Sequence, residues 1–187
     1  LEYGADPEKV MHNDLTALQN AARELKFEAV KILVKNGADV NEMGELGAPP
    51  ILLALFNEDP SKQAQVTKIV RFLVDNGADV DQYTTENTTN PLYFSALRDN
   101  PEAMGIIARA SSDLDALLRI DEEKTEGRTV LIAAIKFGQP QKIKTLLEAG
   151  ADPNASDIDG FTPLHVVSIV NFDDQETGRV IAEILID

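Results

Sequence analysis

Large apolar side chains recur along the chain at the spacing of helices. Five stretches carry them three and four residues apart, which is the period of one buried helical face. A segment with small side chains, such as Ala21, Ala54 or Ala134, precedes each stretch. The pattern predicts pairs of helices in which a thin first helix lets a bulkier second helix approach closely. The stripes of the second helices are Val30, Leu33 and Val34; Val70, Leu73 and Val74; Met104 and Ile107; Ile143, Leu146 and Leu147; and Ile181, Ile184 and Leu185.

Short motifs mark both ends of each predicted pair. A threonine can cap the first helix with its hydroxyl, and a proline fits the first helical position; these residues are Thr16, Thr129 and Thr162, with Pro50, Pro91 and Pro163. A glycine that accepts positive φ ends the second helix. The motif Gly-Ala-Asp begins at Gly4, Gly37, Gly77 and Gly150, with a degenerate copy at Ser111. Successive copies define a unit of about 33 residues that carries insertions.

The combined motifs resemble the ankyrin repeat over essentially the whole chain. The best matches are Thr162 to His165, which read Thr-Pro-Leu-His, and Gly150 to Asn154, which read Gly-Ala-Asp-Pro-Asn. The resemblance implies an all-α solenoid of stacked helix-turn-helix units with β-hairpin fingers. It predicts one domain over residues 1–187, with further repeats or domains beyond it. The predicted repeats cover residues 1–8 (partial), 9–41, 42–81, 82–115, 116–154 and 155–187 (partial).

Several repeats depart from this pattern. About seven extra residues lie between Asn57 and Val66, about five near Asn171 to Gly178, and about six between Leu114 and Thr129. These insertions predict loops, which are either neutral additions or an edge specific to a partner. We number the repeats from residues 9–41 as the first. The third repeat, residues 82–115, has Ser111 in place of glycine and carries Gly105 inside its second helix. Glycine weakens a helix by about 1 kcal/mol relative to alanine, so this repeat is predicted to be the weakest unit, as a degenerate repeat or a flexible joint.

Composition excludes several classes of function. The 187 residues include 32 acidic and 17 basic ones, and the net charge of -15 would be repelled by nucleic acids and anionic membrane surfaces. No apolar run is long enough for a membrane span. Cysteine is absent and the two histidines are His12 and His165, so we predict neither a catalytic site nor a metal or cofactor. The histidine of Thr-Pro-Leu-His is expected to hydrogen-bond within or between repeats. Absence of cysteine is compatible with the cytoplasm, where we expect the chain to reside.

The last part of the chain is strongly acidic. From Ala151 onward there are eight acidic residues and one base, Arg179. This acidity indicates a solvated face that maintains solubility, and the alternative is a field that favours a basic partner. The sequence Asp157-Ile158-Asp159-Gly160 does not complete a calcium loop, because Ala155 and Val166 would occupy ligand positions.

The resemblance implies a ligand surface made of finger tips and exposed positions of the first helices. We therefore predict a non-catalytic scaffold that binds a protein partner. The alternative is a targeting segment of a larger enzyme or secreted effector. The leading candidates for partner contact are Phe56, Asn57, Arg98, Lys136, Phe137, Ile158, Asp159 and Phe161. Further candidates are Asn13, Leu15, Arg23, Glu24, Glu45, Leu46, Ala48, Glu86, Asn87, Thr89, Leu97, Glu126, Arg128, Ile169 and Val170.

Overall fold

The computed structural model describes residues 6, 8–10, 14–84, 89–117, 127–172 and 174–187. Over these ranges the regular structure is helical. The helices are α1 (Ala17–Arg23), α2 (Phe27–Lys35), α3 (Pro50–Leu55), α4 (Gln63–Asp75), α5 (Pro91–Leu97), α6 (Pro101–Ala110), α7 (Val130–Lys136), α8 (Pro140–Ala149), α9 (Pro163–Ile169) and α10 (Gln175–Ile186), with a short 3-10 helix at Pro60–Lys62.

The helices begin and end where the motifs predict. Thr16 Oγ1 accepts a hydrogen bond from Gln19 N, and Thr129 Oγ1 accepts one from Ile132 N, each at 3.2 Å. Pro50, Pro91 and Pro163 are the first residues of α3, α5 and α9. At the other ends, Gly37, Gly77 and Gly150 adopt φ values of +91°, +89° and +107°. The capping predicted for Thr16 and Thr129 and the helix ends predicted at the three glycines are confirmed, whereas Thr162 N and Oγ1 bond to the side chain of His165.

Two layers of helices stack along the chain. In the first layer, α1, α3, α5, α7 and α9 each contact the next, and α2, α4, α6, α8 and α10 do the same in the second. One continuous apolar core lies between the layers. Leu73, Met104, Ile107 and Leu146 are fully buried in it, as the helical stripes predict, whereas Leu33 is only partly buried. The all-α solenoid is therefore confirmed.

The fingers differ from the expectation in two respects. Where the structure describes them they consist of turns with an isolated bridge at Arg128 and form no β-strand. The finger before α5, for example, is closed by the hydrogen bond from Thr84 N to Thr89 O at 2.8 Å. Leu15 and Ala48, predicted to contact a partner, are instead buried. Both immediately precede the cap of a first helix, where the chain turns into the core. Of the remaining finger candidates, Asn13, Glu86, Asn87 and Glu126 lie outside the described residues.

Gly105 of the third repeat has a packing role. A Cβ at this position would lie 2.9 Å from Cγ2 of Thr145, because α6 and α8 approach closely there. Ser111, which replaces the usual glycine, donates its hydroxyl to Asp81 Oδ1 at 2.6 Å. Both departures thus join the third repeat to its neighbours, and the weakness of this repeat stays a prediction.

No helix within the described ranges has the length and apolar character needed to cross a membrane.

Candidate functional site

Seven of the eight leading candidates line three clefts between neighbouring repeats, and the eighth, Phe56, packs against Phe94 beside one of them. We name these the finger cleft, the Arg98 cleft and the Phe172 cleft. The finger cleft, of about 150 Å³, is lined by Lys136, Ile158, Asp159 and Phe161, together with Gly127, Arg128, Asp157, Val166 and Ile169. The Arg98 cleft, of about 510 Å³, is lined by Asn57, Glu58, Pro60, Gln63, Leu97, Arg98 and Asp99. The Phe172 cleft, of about 320 Å³, is lined by Lys136, Phe137, Gly138, Asn171, Phe172, Asp174 and Thr177.

A carboxylate fixes the conformation of the last finger. Asp157 Oδ1 accepts hydrogen bonds from Phe161 N at 2.8 Å and Asp159 N at 3.1 Å. Asp157 N in turn donates to Phe161 O at 3.0 Å, and Ile158 N donates to Gly127 O of the preceding finger at 2.7 Å. The turn therefore presents Ile158 and Phe161, which stay 54% and 40% exposed.

His165 supports this finger from below. Its Nδ1 lies 2.8 Å from Thr162 Oγ1 and accepts a longer hydrogen bond, 3.3 Å, from Thr162 N. The imidazole also packs edge-on against Phe161, with the ring centroids 6.3 Å apart. The structural hydrogen bond predicted for this histidine is confirmed, and the ring restricts the orientation of Phe161.

The Arg98 cleft is built around a recessed guanidinium. Its central carbon lies 4.1 Å from the ring centroid of Phe94, and Phe94 packs against half-exposed Phe56 at a centroid distance of 4.8 Å. Glu58 forms an ion pair with Arg98. Burial lowers the pKa of Arg98. The predicted residues Phe56 and Arg98 thus belong to one cluster of cation-π and ion-pair contacts.

The Phe172 cleft is shaped by the insertion near Asn171 to Gly178. The ring of Phe172 occupies space left by glycines, since a Cβ at Gly178 would lie 3.0 Å from it. Asp174 caps α10 by accepting from Thr177 N at 2.6 Å, a bond that lowers the pKa of this carboxyl. Phe137 is exposed at the rim of the cleft. The anchored loop therefore gives the cleft a fixed wall.

The acidic residues of the last repeat are largely engaged in local contacts. Asp152, Asp157 and Asp174 accept backbone N–H groups. Glu176 and Glu183 both pair with Arg179. Asp173 lies outside the described residues. Asp159 is the remaining carboxylate of this group that lines the finger cleft. The acidity thus supports local structure more than it concentrates charge at one surface.

Sequence reasoning missed most of the residues that the insertions contribute. These include Glu58, Pro60, Gln63 and Phe172, and no sequence signal indicated Asp99 in the loop between α5 and α6. The length of each insertion was the available signal, but it indicates a loop without specifying which side chains face a cleft. Among the further candidates, Arg23 Nε and Glu24 Oε1 form an ion pair at 3.2 Å. The exposed ones include Glu45, Leu46, Leu97 and Ile169. The partly buried ones are Thr89, Arg128 and Val170.

The part of the chain that the structure describes holds no group of three or more histidine or acidic side chains suited to a metal ion. The clefts instead combine exposed apolar side chains with a mixed polar rim. Such surfaces provide contact area and selectivity at protein interfaces.

Comparison with known proteins agrees with the repeat pattern. The family model described as ankyrin repeats (3 copies) matches residues 1–82, and the one described as ankyrin repeats (many copies) matches residues 131–169.

Three similar proteins are much longer than the chain. The palmitoyltransferase AKR1 of Lachancea kluyveri is 32% identical over 152 residues, which are 81% of this chain and 19% of that protein. Human ankyrin repeat and SOCS box protein 16 is 28% identical over 153 residues, covering 80% of this chain and 32% of that protein. Human SH3 and multiple ankyrin repeat domains protein 2 is 33% identical over 170 residues, covering 90% and 9%.

Proposed function

Because the chain belongs to the ankyrin-repeat family, whose repeats generally mediate protein–protein interaction, we propose that it is a non-catalytic scaffold with a docking surface at its finger cleft. The proposal treats residues 1–187 as one binding domain. Its cytoplasmic location stays a prediction from composition.

The presentation of Ile158 and Phe161 is the observation that carries this proposal. Asp157 and His165 hold the two apolar side chains at the rim of a cleft between the fourth and fifth repeats. Exposed apolar anchors surrounded by polar groups are typical of the centre of protein interfaces. Lys136 borders both this cleft and the Phe172 cleft, where Phe137 adds a third apolar side chain. A partner that covers both clefts would bury all three.

The charge of the partner depends on both the residues of the finger cleft and the net charge of the whole chain. Within the finger cleft, Asp159 is accompanied by Lys136 and Arg128. A basic partner would gain from the net charge of -15 through faster association. The two carboxylates of the lining, Asp157 and Asp159, balance its two cations, so the local surface contributes apolar contacts and no net charge. We therefore propose that the rings and Ile158 provide affinity, while the overall field influences the association rate.

The alternative role also keeps support. The chain matches 19% of a palmitoyltransferase, so a repeat array like this one occurs in a longer protein named for an enzymatic activity. In that case the array would still bind a protein, while the reaction would belong to another part of the polypeptide. The full-length gene sequence distinguishes the two arrangements.

The decisive experiment compares exposed apolar residues at two places. Partners are captured with the wild-type chain, with Ile158→Ala/Phe161→Ala, and with Ile32→Ala, whose side chain is 61% exposed on α2 and lies outside the finger cleft. We expect a specific partner to be retained by wild type and Ile32→Ala and lost from the double variant. With that partner purified, Phe161→Ala should raise the dissociation rate about fivefold or more, as loss of an anchor does.

An electrostatic variant completes this test. Asp159→Asn removes a charge at the cleft and should slow association and reduce its dependence on salt. Asp157 is unsuitable for this purpose because its carboxylate holds the finger. Equal binding by wild type and the double apolar variant would exclude the finger cleft as the docking surface.

A further inference from the structure

The charges of the Arg98 cleft are arranged with carboxylates outside and the guanidinium inside. The side chain of Glu58 is 70% exposed, while that of Arg98 is 24% exposed and lies against Phe94. Asp99 is also exposed on the opposite loop. Because the ion pair offsets the charges of Glu58 and Arg98 against each other, Asp99 gives the lining one net negative charge. A molecule entering the cleft therefore meets carboxylates before it meets the guanidinium.

The wall of the cleft is held in place by hydrogen bonds. Gln63 Nε2 donates to Asn57 O at 3.0 Å and to Asp59 O at 3.1 Å, so it closes the inserted loop. Asn100 Nδ2 donates to Gln63 Oε1 at 2.9 Å, which ties that loop to the next repeat. Thr67 Oγ1 donates to Asn100 Oδ1 at 3.2 Å. Both sides of the cleft are thus organised without a ligand, which reduces the ordering cost of binding.

We propose that the Arg98 cleft binds an arginine or lysine side chain of a partner polypeptide. A carboxylate such as that of Glu58 has acceptor sites for more than one donor, so it can retain Arg98 and accept an incoming cation. Asp99 supplies the second carboxylate, while Pro60 and Leu97 give apolar surface for the methylene stem of the ligand. The cleft volume of about 510 Å³ accommodates a long side chain.

An acidic ligand is disfavoured by the same arrangement. To reach Arg98, a carboxylate would have to displace Glu58 and approach Asp99, within a chain of net charge -15. The neighbouring cation Lys142 interacts electrostatically with Asp99, but it is buried and donates to Ala96 O at 2.8 Å, so its ammonium group does not contact the ligand. Charge complementarity therefore selects the basic side chain.

This inference rests on the proposed protein-binding function but concerns a different surface from the finger cleft. It is tested on the intact chain by NMR titration with the acetylated and amidated peptide Gly-Gly-Arg-Gly-Gly. The matched probe has citrulline, a neutral isostere, in place of arginine. We expect saturable amide shifts confined to residues 57–63 and 97–100 with the arginine peptide, and affinity at least tenfold weaker with citrulline.

Variants of equal net charge separate the site from the general field of the protein. Glu58→Gln/Asp99→Asn should weaken binding of the arginine peptide about tenfold, whereas Asp75→Asn/Glu148→Gln on α4 and α8 should change it less than twofold. Equal losses in both pairs would show non-specific attraction and overturn the proposal. Absence of saturable shifts in the cleft, or preferential binding of the corresponding glutamate peptide, would also overturn it. Ile158→Ala/Phe161→Ala should bind the peptide normally, so failure at either surface is recognised independently.

Discussion

Polar side chains at the bases of the fingers join one repeat to the next. Asn41 Nδ2 donates to Gly77 O at 3.0 Å, and Asn41 Oδ1 accepts from Asp79 N at 2.7 Å. At a later junction, Asp115 Oδ1 accepts from Asp152 N at 3.0 Å. A carboxylate cannot donate to the carbonyl that corresponds to Gly77 O. The asparagine therefore satisfies two backbone groups where the aspartate satisfies one.

We expect Asp115→Asn to stabilise the protein at pH 7. The amide would retain the bond from Asp152 N and could donate to Gly150 O, as Asn41 does to Gly77 O. Burial raises the pKa of Asp115, and the charges of Asp152 and Asp113 raise it further. A net gain of up to about 1 kcal/mol is typical of one added hydrogen bond. Thermal melts at pH 7 measure it.

The dependence on pH provides the control for Asp115→Asn. A raised pKa in the folded state means that ionisation of Asp115 costs stability as the pH rises through that pKa. Asparagine has no such loss. The advantage of the variant should therefore shrink as the pH falls through the raised pKa of Asp115 and should level off below about 4, the ordinary value for aspartate. A variant less stable than wild type at pH 7 would contradict the proposed second hydrogen bond.

Gly105 provides a test of packing against helix propensity. Alanine in a helix is favoured over glycine by about 1 kcal/mol, but overpacking costs about 1 to 3 kcal/mol. The methyl of Thr145 that would meet a Cβ is held, because Thr145 Oγ1 donates to Gln141 O at 2.8 Å. We expect Gly105→Ala to lower the unfolding free energy by up to about 2 kcal/mol. In a Thr145→Ser background the same change should raise it, as denaturant melts of the single and double variants would show.

At the scale of helices, the degree of burial separates leucines that look equivalent in sequence. Leu73 and Leu146 are fully buried in α4 and α8, whereas Leu33 in α2 is partly exposed. Alanine at either buried position should cost about 2 to 5 kcal/mol of unfolding free energy by opening a cavity. Leu33→Ala should cost roughly half as much, since less surface is buried. Equal losses at all three positions in denaturant melts would contradict this order.

Local signals were sufficient to predict the helices but not how adjacent repeats meet. Caps and glycines act within a few residues, so Thr16, Pro50 and Gly150 indicated their roles directly. Leu25 gives no such signal, although it adopts φ +53° between α1 and α2, because its burial in the core outweighs the backbone preference. The Arg98 cleft also gives no local signal, because its contacts join residues about forty positions apart, such as Glu58 and Arg98. No short pattern encodes them.

At the scale of the whole molecule, adjacent repeats stabilise one another through the contacts that they share. Each helix pair contacts the pairs before and after it, as in other repeat arrays whose stability combines that of the units and their interfaces. Gln19 is a polar link of this kind. It is fully buried, accepts from Thr16 N at 2.7 Å, and donates to Ala48 O at 2.8 Å in the second repeat. Its loss would therefore weaken one interface of the array.

We expect Gln19→Ala to uncouple the first helix pair from the others. The variant leaves Thr16 N and Ala48 O without their partner, and each buried unsatisfied group costs about 1 to 3 kcal/mol. Because that cost falls on the first interface, hydrogen exchange should accelerate about tenfold or more in α1 and α2, while amides in α8 and α10 keep their protection.

Gln19→His is the matched control. At the same motif position, His165 Nδ1 accepts from Thr162 N, so histidine can replace the bond that Gln19 accepts from Thr16 N and offers its other ring nitrogen to Ala48 O. Equal acceleration across all ten described helices in Gln19→Ala would mean that the array opens as one cooperative unit.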